Sequence, residues 1–446
     1  MKRCYFLGLF FLLQGYIAFS QKPVARIDFE IRGMANSYLL LGLENLDRQI
    51  ILNTIRLNAQ GEGFYESKVR LQAGIYVVTF PNQKYFELLI DNEQFFTIYT
   101  DTIDIFENLV ITGAEQPALF LKFQKLRRSL EKYRSAKDST GVFQTQEKLK
   151  AFKDSVASHL SSSLLAAYLR LYDLTRQLST RPQELTLESF VRQQQERERN
   201  FIRNFPFDDN RLLHSRLLYE QLSYFFNVFI PQHPDTLISR MDMFLAQAAR
   251  NEAMYKYLLA FFNQNFRHCR TPAYEKVYVY LAENYYLNGK APWADPRFLN
   301  LLQKKVDELK PSVMGVKVAN LPLVLPDDKP AMLYDYNAEN IILFFWDPDC
   351  GTCRNNYLQL VEKARPFKRK DLLIIAIYMH SNKQPWLEFL KKYNNNFINV
   401  YDPLKKNDFA KLFRIDRVPF YVLLNSEKQI VAKGNMLDSV WGQLRK

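Results

Sequence analysis

The sequence predicts a multidomain protein: an N-terminal antiparallel β-sandwich or barrel, an all-helical middle domain, and a C-terminal α/β domain. Two changes of hydrophobic period carry this reading, from alternating to helical near residue 114 and from helical to mixed near residue 312. The third observation is size, since 446 residues exceed what one ordinary core holds. The resulting parts are 1–20, a signal segment, then 21–114, 115–312 and 313–446.

Lys2 and Arg3 precede the apolar run 5–13, and Ala18-Phe19-Ser20 supplies a small-residue exit. This predicts an export signal cleaved after Ser20, because the apolar run stops at Gln14-Gly15, short of a membrane span. The expected location is the periplasm or extracytoplasmic cell envelope, with no transmembrane segment after cleavage. Cys4 leaves with the signal, and Cys269, Cys350 and Cys353 remain, too few for a disulfide-stapled scaffold. The formal charge is +13, but Lys and Arg are interspersed with Asp and Glu apart from one modest cluster at 363–370. That pattern describes a solvated basic surface that favours acidic partners, and no nucleic-acid role is expected.

Residues 25–113 hold short β-type runs at 27–31, 38–41, 50–52, 76–80, 86–90 and 95–99, separated by turn signals such as Gly33 and Asp91-Asn92. No cluster of metal ligands or catalytic carboxylates appears there, which favours a binding or spacer role. Between 115 and 309 apolar residues recur every three or four positions, as in Leu164, Leu165, Tyr168, Leu169 and Tyr172, predicting seven to nine helices. Their aromatic stripes read as core. From 311 onward a hairpin at 321–336 precedes strand 341–346, a helix from Cys350, strand 372–378, helix 385–393, strand 397–400, a short helix 408–413, strands 421–424 and 429–432, and a last helix. Alternating β and α places chemistry at the carboxyl ends of the strands, and Cys350 falls at such an end.

Cys350-Gly351-Thr352-Cys353 follows the apolar run 341–346, so two thiols three apart sit where a strand hands over to a helix. Unpaired N–H groups of a first helical turn stabilise a thiolate, and a second Cys one turn later lies within closing distance for a disulfide. Half of a zinc site is the rival reading, but neither Cys269 nor the five scattered His provide a second ligand pair at recognisable spacing. No metal, nucleotide or flavin is implied.

The stretch Phe345-Trp346-Asp347-Pro348-Asp349-Cys350-Gly351-Thr352-Cys353, followed by Arg417-Val418-Pro419-Phe420, resembles the extracytoplasmic thioredoxin-like proteins of the TlpA/ResA type, in the Asp-Pro-Asp version of Bacteroidetes. Residues 205–213 and 285–293 resemble the uncharacterised helical domain that precedes this module, and the β-rich start resembles its usual partner. The resemblance implies a thioredoxin-like C-terminal fold with Cys350 as attacking thiol, Cys353 as resolving thiol, and Val418-Pro419 as the cis-proline loop that pairs with a substrate chain. It also places Trp346 beneath the motif.

Two departures stand out. The buried Asp found six residues before the attacking Cys in thioredoxin is Phe344 here, and the Glu that follows the second Cys by three in ResA-like members is Asn356. Another proton acceptor for the resolving thiol is therefore needed. Asp347 and Asp349 are nearest in sequence, with capping or turn roles as the alternative, and His380 lies just beyond the end of strand 372–378. His268-Cys269 invites a nucleophile-base reading, but adjacent helical residues point apart, so a buried structural thiol is expected.

The expected function is an exported thiol-disulfide oxidoreductase acting on protein thiols and disulfides, supplied by a membrane electron donor. The competing class is a non-catalytic binding or scaffold protein of the cell envelope carrying a vestigial thioredoxin-like module. Residues 313–446 are expected to fold alone.

Overall fold

The computed structural model describes residues 23–179, 186–268, 271–393, 396–404 and 407–444. The expected signal segment, its cleavage point after Ser20, and Cys269 lie outside the described residues. The chain forms two compact units that divide between Gln221 and Leu222.

The first unit begins with eight strands: β1 (Ala25–Arg32), β2 (Tyr38–Asn45), β3 (Arg48–Arg56), β4 (Glu62–Ser67), β5 (Gly74–Thr79), β6 (Tyr85–Ile90), β7 (Phe95–Asp101) and β8 (Val110–Thr112). They form two four-stranded sheets, in the orders β4-β1-β7-β8 and β3-β2-β5-β6. In β1 the alternation is complete, with Ala25, Ile27, Phe29 and Ile31 buried and Arg26, Asp28, Glu30 and Arg32 turned outward. These inward residues share one core with Leu39, Leu41, Phe86, Leu88, Phe96 and Ile98. The pairing is antiparallel except between β1 and β7, which run parallel with Ile27 opposite Phe96. A parallel pair needs a long connection, and the second sheet together with β4 lies within that connection. Strands β4 and β8 went unread in the sequence because no β4 side chain is fully buried and β8 spans 3 residues.

Helices α1 (Glu115–Ser135), α2 (Ser139–His159), α3 (Leu164–Ser179) and α4 (Leu187–Asn204) follow, and α5 (Arg216–Tyr224) crosses the division. Phe120 and Phe123 of α1 meet Tyr168 of α3 edge-on, which is the core use of the aromatic stripe. Glu44 of β2 is buried, and one of its carboxylate oxygens accepts the Arg216 N–H. Burial pushes that carboxyl up to about 7 against the opposing hydrogen bond.

The second unit contains α6 (Pro234–Ala248), α7 (Glu252–Phe266), α8 (Pro272–Leu281) and α9 (Pro296–Leu309) around Phe225, Phe226, Phe244, Phe261 and Phe262. Its sheet is built from β9 (Pro322–Val324), β10 (Pro330–Met332), β11 (Asn340–Trp346), β12 (Leu372–Tyr378), β13 (Ile398–Tyr401), β14 (Phe420–Asn425) and β15 (Ile430–Gly434). The order is β10-β9-β13-β12-β11-β14-β15, with β11 parallel to β12 and antiparallel to β14. Helices α10 (Gly351–Ala364), α11 (Gln384–Lys392), α12 (Phe409–Phe413) and α13 (Leu437–Trp441) complete it. All seven residues of β11 are buried, as expected of a central strand covered on both faces.

Candidate active site

The site grows from the end of β11. Its last residue, Trp346, is fully buried, with ring centroids 4.6 Å from Tyr357 and 4.9 Å from Phe389. The chain then turns through Asp347-Pro348-Asp349. The Asp347 carboxylate accepts the Asp349 N–H at 2.9 Å, and the Asp347 carbonyl accepts the Cys350 N–H at 3.2 Å. Arg354 fastens the turn from the helix side by donating to the Pro348 carbonyl at 2.7 Å.

Cys350 is the N-cap of α10. Its backbone is extended, at φ −82° and ψ 114°, and its Sγ accepts the Cys353 N–H at 3.2 Å. The sulfur thus fills the place that a Ser or Asp oxygen usually takes, facing the positive end of the helix. Cys350 is half-buried, whereas Cys353 is fully enclosed. Burial, followed by its hydrogen bond with Cys350, pushes the Cys353 thiol up to about 12; the nearby Asp347 charge acts in the same direction and the Asp347 backbone N–H opposes it. One sulfur is reachable and faces a helix terminus. The other is hidden and held protonated.

The Val418–Pro419 peptide bond is cis. Pro419 is buried, and Val418 packs against the same apolar cluster as Cys350. Phe420 lies opposite Phe345 in the β11–β14 ladder, which brings the Val418-Pro419 loop to the end of the strand that leads into the motif.

His380 reaches the motif through Asp347, with Nε2 2.8 Å from the carboxylate oxygen; the imidazole is largely exposed and the carboxylate largely covered. Asp349 is exposed and contributes its backbone N–H to the turn. The structure therefore gathers Trp346, Asp347, Cys350, Cys353, Val418, Pro419 and His380 at one strand end. His268 is exposed beside Arg267, at 3.1 Å. Among the described residues no group of three or more His, Cys, Asp or Glu is arranged to hold a metal ion.

Sequence reasoning missed Tyr421. It is buried, stacks on Phe344 with ring centroids 5.1 Å apart, and its hydroxyl accepts from the Asn356 side-chain amide at 2.8 Å. The signal lay in the strand register, since a residue two after Pro419 returns to the face occupied by the motif.

Comparison with known proteins bears on this region. The Redoxin family matches residues 305–439. A curated relative, the thiol-disulfide oxidoreductase ResA of Bacillus subtilis, is 24% identical over 128 residues, covering 28% of this chain and 70% of the relative. Among solved structures, a thioredoxin-like protein from Bacteroides caccae is 18% identical and covers 60% of this chain and 96% of its own, with a TM-score of 0.41. The thioredoxin domain of a thiol-disulfide oxidoreductase from Bacteroides vulgatus is 19% identical over 29% of this chain and 94% of its own, with a TM-score of 0.27. The C-terminal region of the chain thus carries a thioredoxin-like Redoxin domain, homologous to the thiol-disulfide oxidoreductase ResA.

Proposed function

We propose that the protein is an exported thiol-disulfide oxidoreductase that exchanges disulfides with protein substrates through Cys350 and Cys353. The observation that carries this reading is the inequality of the two sulfurs: Cys350 half-buried as a helix cap, Cys353 enclosed with its thiol pushed up to about 12. In the reducing direction the Cys350 thiolate attacks one sulfur of a substrate disulfide, the substrate S–S bond breaks, and the other substrate sulfur leaves as a thiolate that takes up a proton. Cys353 then gives up its proton and attacks Cys350 Sγ. The mixed disulfide breaks, the substrate departs with both thiols, and the pair retains the new S–S bond, so two electrons have passed to the substrate.

Asp347, paired with His380, is the proton acceptor we assign to Cys353, and Trp346 supports the motif from below. Asp349 acts in the turn. Val418 and Pro419 receive the substrate chain. A membrane electron donor returns the pair to the dithiol, and no metal or organic cofactor takes part. The proposed location is the periplasm or extracytoplasmic envelope, after removal of residues 1–20; among the described residues no helix is long and apolar enough to cross a membrane. Within this reading 21–114 and 115–312 position the 313–446 module or select its partner.

The test is dithiothreitol-driven reduction of insulin by the mature chain. Acceleration by wild type and its loss in Cys350→Ser are expected. A wild-type rate equal to the dithiothreitol background overturns the reading and favours the scaffold alternative.

A further inference from the structure

Glu275, on α8, is buried inside the second unit, and its two carboxylate oxygens take two different cations. Oε1 meets Arg414 Nη1 at 2.6 Å and Oε2 meets Lys433 Nζ at 2.6 Å. Lys433 is itself buried, with a side chain 3% exposed, and also donates to Ser312 Oγ at 2.9 Å. Arg414 makes a longer contact, 3.5 Å, with Glu308 of α9. Lys433 and Glu275 are buried and Arg414 is half-buried, and charges withdrawn from water are costly unless they are held together, as these three are.

The placement of the cations in the chain gives the cluster its meaning. Arg414 is the left-handed C-cap of α12, at φ 59° and ψ 50°, and starts the segment that runs through Val418 and Pro419. Lys433 sits on β15 directly opposite Val422 of β14, the strand into which that segment runs. One carboxylate therefore grips the entrance of the Val418-Pro419 loop and β15, the strand paired with the one that receives its exit. Among loop amides, Ile415 N–H donates to the Ala410 carbonyl at 2.8 Å and provides a local reporter.

We infer that Glu275 is a positioning residue: a helical element outside the Redoxin match sets the pose of the cis-proline loop, and hence the affinity for a protein substrate, while leaving the thiols' own reactivity alone. This rests on the assignment of Val418 and Pro419 as the substrate-receiving loop. Glu275→Gln keeps the side-chain shape and removes the charge that both cations need.

Two measurements on the full chain test it. In Glu275→Gln, hydrogen exchange over residues 415–421 rises by about tenfold or more, while peptides from β11 and α10 keep their protection. In insulin reduction, KM rises about fivefold or more with kcat within about twofold, and iodoacetamide alkylates Cys350 at the wild-type rate. Unchanged exchange over 415–421 overturns the inference whether or not the protein turns over insulin, because that readout needs no activity. Faster loop exchange with an unchanged KM, or a fall in kcat matched by slower alkylation, overturns it as well. Arg414→Gln leaves the Glu275–Lys433 pair in place; it is read the same way if Glu275→Gln fails to fold.

Discussion

The Asn356 side chain donates to the buried Tyr421 hydroxyl at 2.8 Å, a bond that joins helix α10 to strand β14 beside the cysteine motif. Phe344 lies flat on the same tyrosine, at an interplanar angle of 10°. The two positions at which the resembling proteins carry carboxylates are thus tied into one aromatic-amide assembly. Burial and the nearby Cys353 and Cys350 raise the tyrosine pKa, so Tyr421 stays a neutral phenol and takes no proton from Cys353.

Under the proposed function the unequal sulfurs divide the labour of exchange. Cys353→Ser leaves the attacking thiol intact and accumulates mixed disulfides, seen as partner-linked bands on non-reducing gels after acid quenching. Cys350→Ser abolishes both turnover and trapping, because the remaining thiol is enclosed. Cys269→Ser does neither. Trapping by Cys350→Ser but not by Cys353→Ser reverses the assignment.

If Asp347 accepts the Cys353 proton, Asp347→Asn slows resolution of the mixed disulfide by about tenfold or more while first attack proceeds normally. The substituted amide oxygen still accepts the Asp349 N–H, so the turn is kept. Asp349→Asn, at an exposed position, leaves resolution within about twofold of wild type. Single-turnover kinetics with a preformed mixed disulfide separate the steps, and equal effects of the two substitutions would remove Asp347 from the mechanism.

Glu44 ties stability to pH. Its folded pKa is raised to about 7 from 4.5, so the folded state favours the protonated form. The associated stability is fully present below about pH 4.5 and is lost as pH rises through 7. Glu44→Gln is therefore close to neutral at pH 5 and stabilising at pH 8, by up to about 3 kcal/mol. Thermal melts at both values check the sign; a variant less stable at pH 8 than wild type contradicts it.

Restoring a carboxylate at Phe344 is expected to harm the fold. Phe344 is fully buried and stacks on Tyr421 on one side, with Trp346 6.0 Å away. Phe344→Asp removes that packing and buries an unpaired acid, for a loss of about 3 kcal/mol or more in denaturant unfolding. A smaller loss accompanied by faster resolution would mean that the aromatic stack tolerates a base.

The C-terminal order of strands and helices was legible, with most bounds within one or two residues, because its strands are continuous apolar runs bounded by turn signals. Strand 372–378 and the helix beginning after Cys350 are examples. The motif was equally plain, since Cys350 and Cys353 are separated by one helical turn. What escaped reading depends on distance along the chain: Glu275 and Arg414 are 139 residues apart, and neither has a local pattern that announces the other. The Asp347–His380 contact was half visible, because the sequence placed both at strand ends but did not select between Asp347 and Asp349. The parallel β1–β7 pair was hidden for another reason, since alternation reports which face is buried and not which neighbour is paired.

Because Cys350 Sγ caps helix α10, the atom we assign as the nucleophile is also a structural one, and the choice of replacement decides what an inactive variant reports. A serine hydroxyl accepts from the Cys353 N–H much as the sulfur does, whereas alanine leaves the first turn uncapped at a cost of about 1 kcal/mol. Loss of function in Cys350→Ser speaks to sulfur chemistry. The same loss in Cys350→Ala would mix that chemistry with fraying of the segment that holds Cys353 in its enclosure.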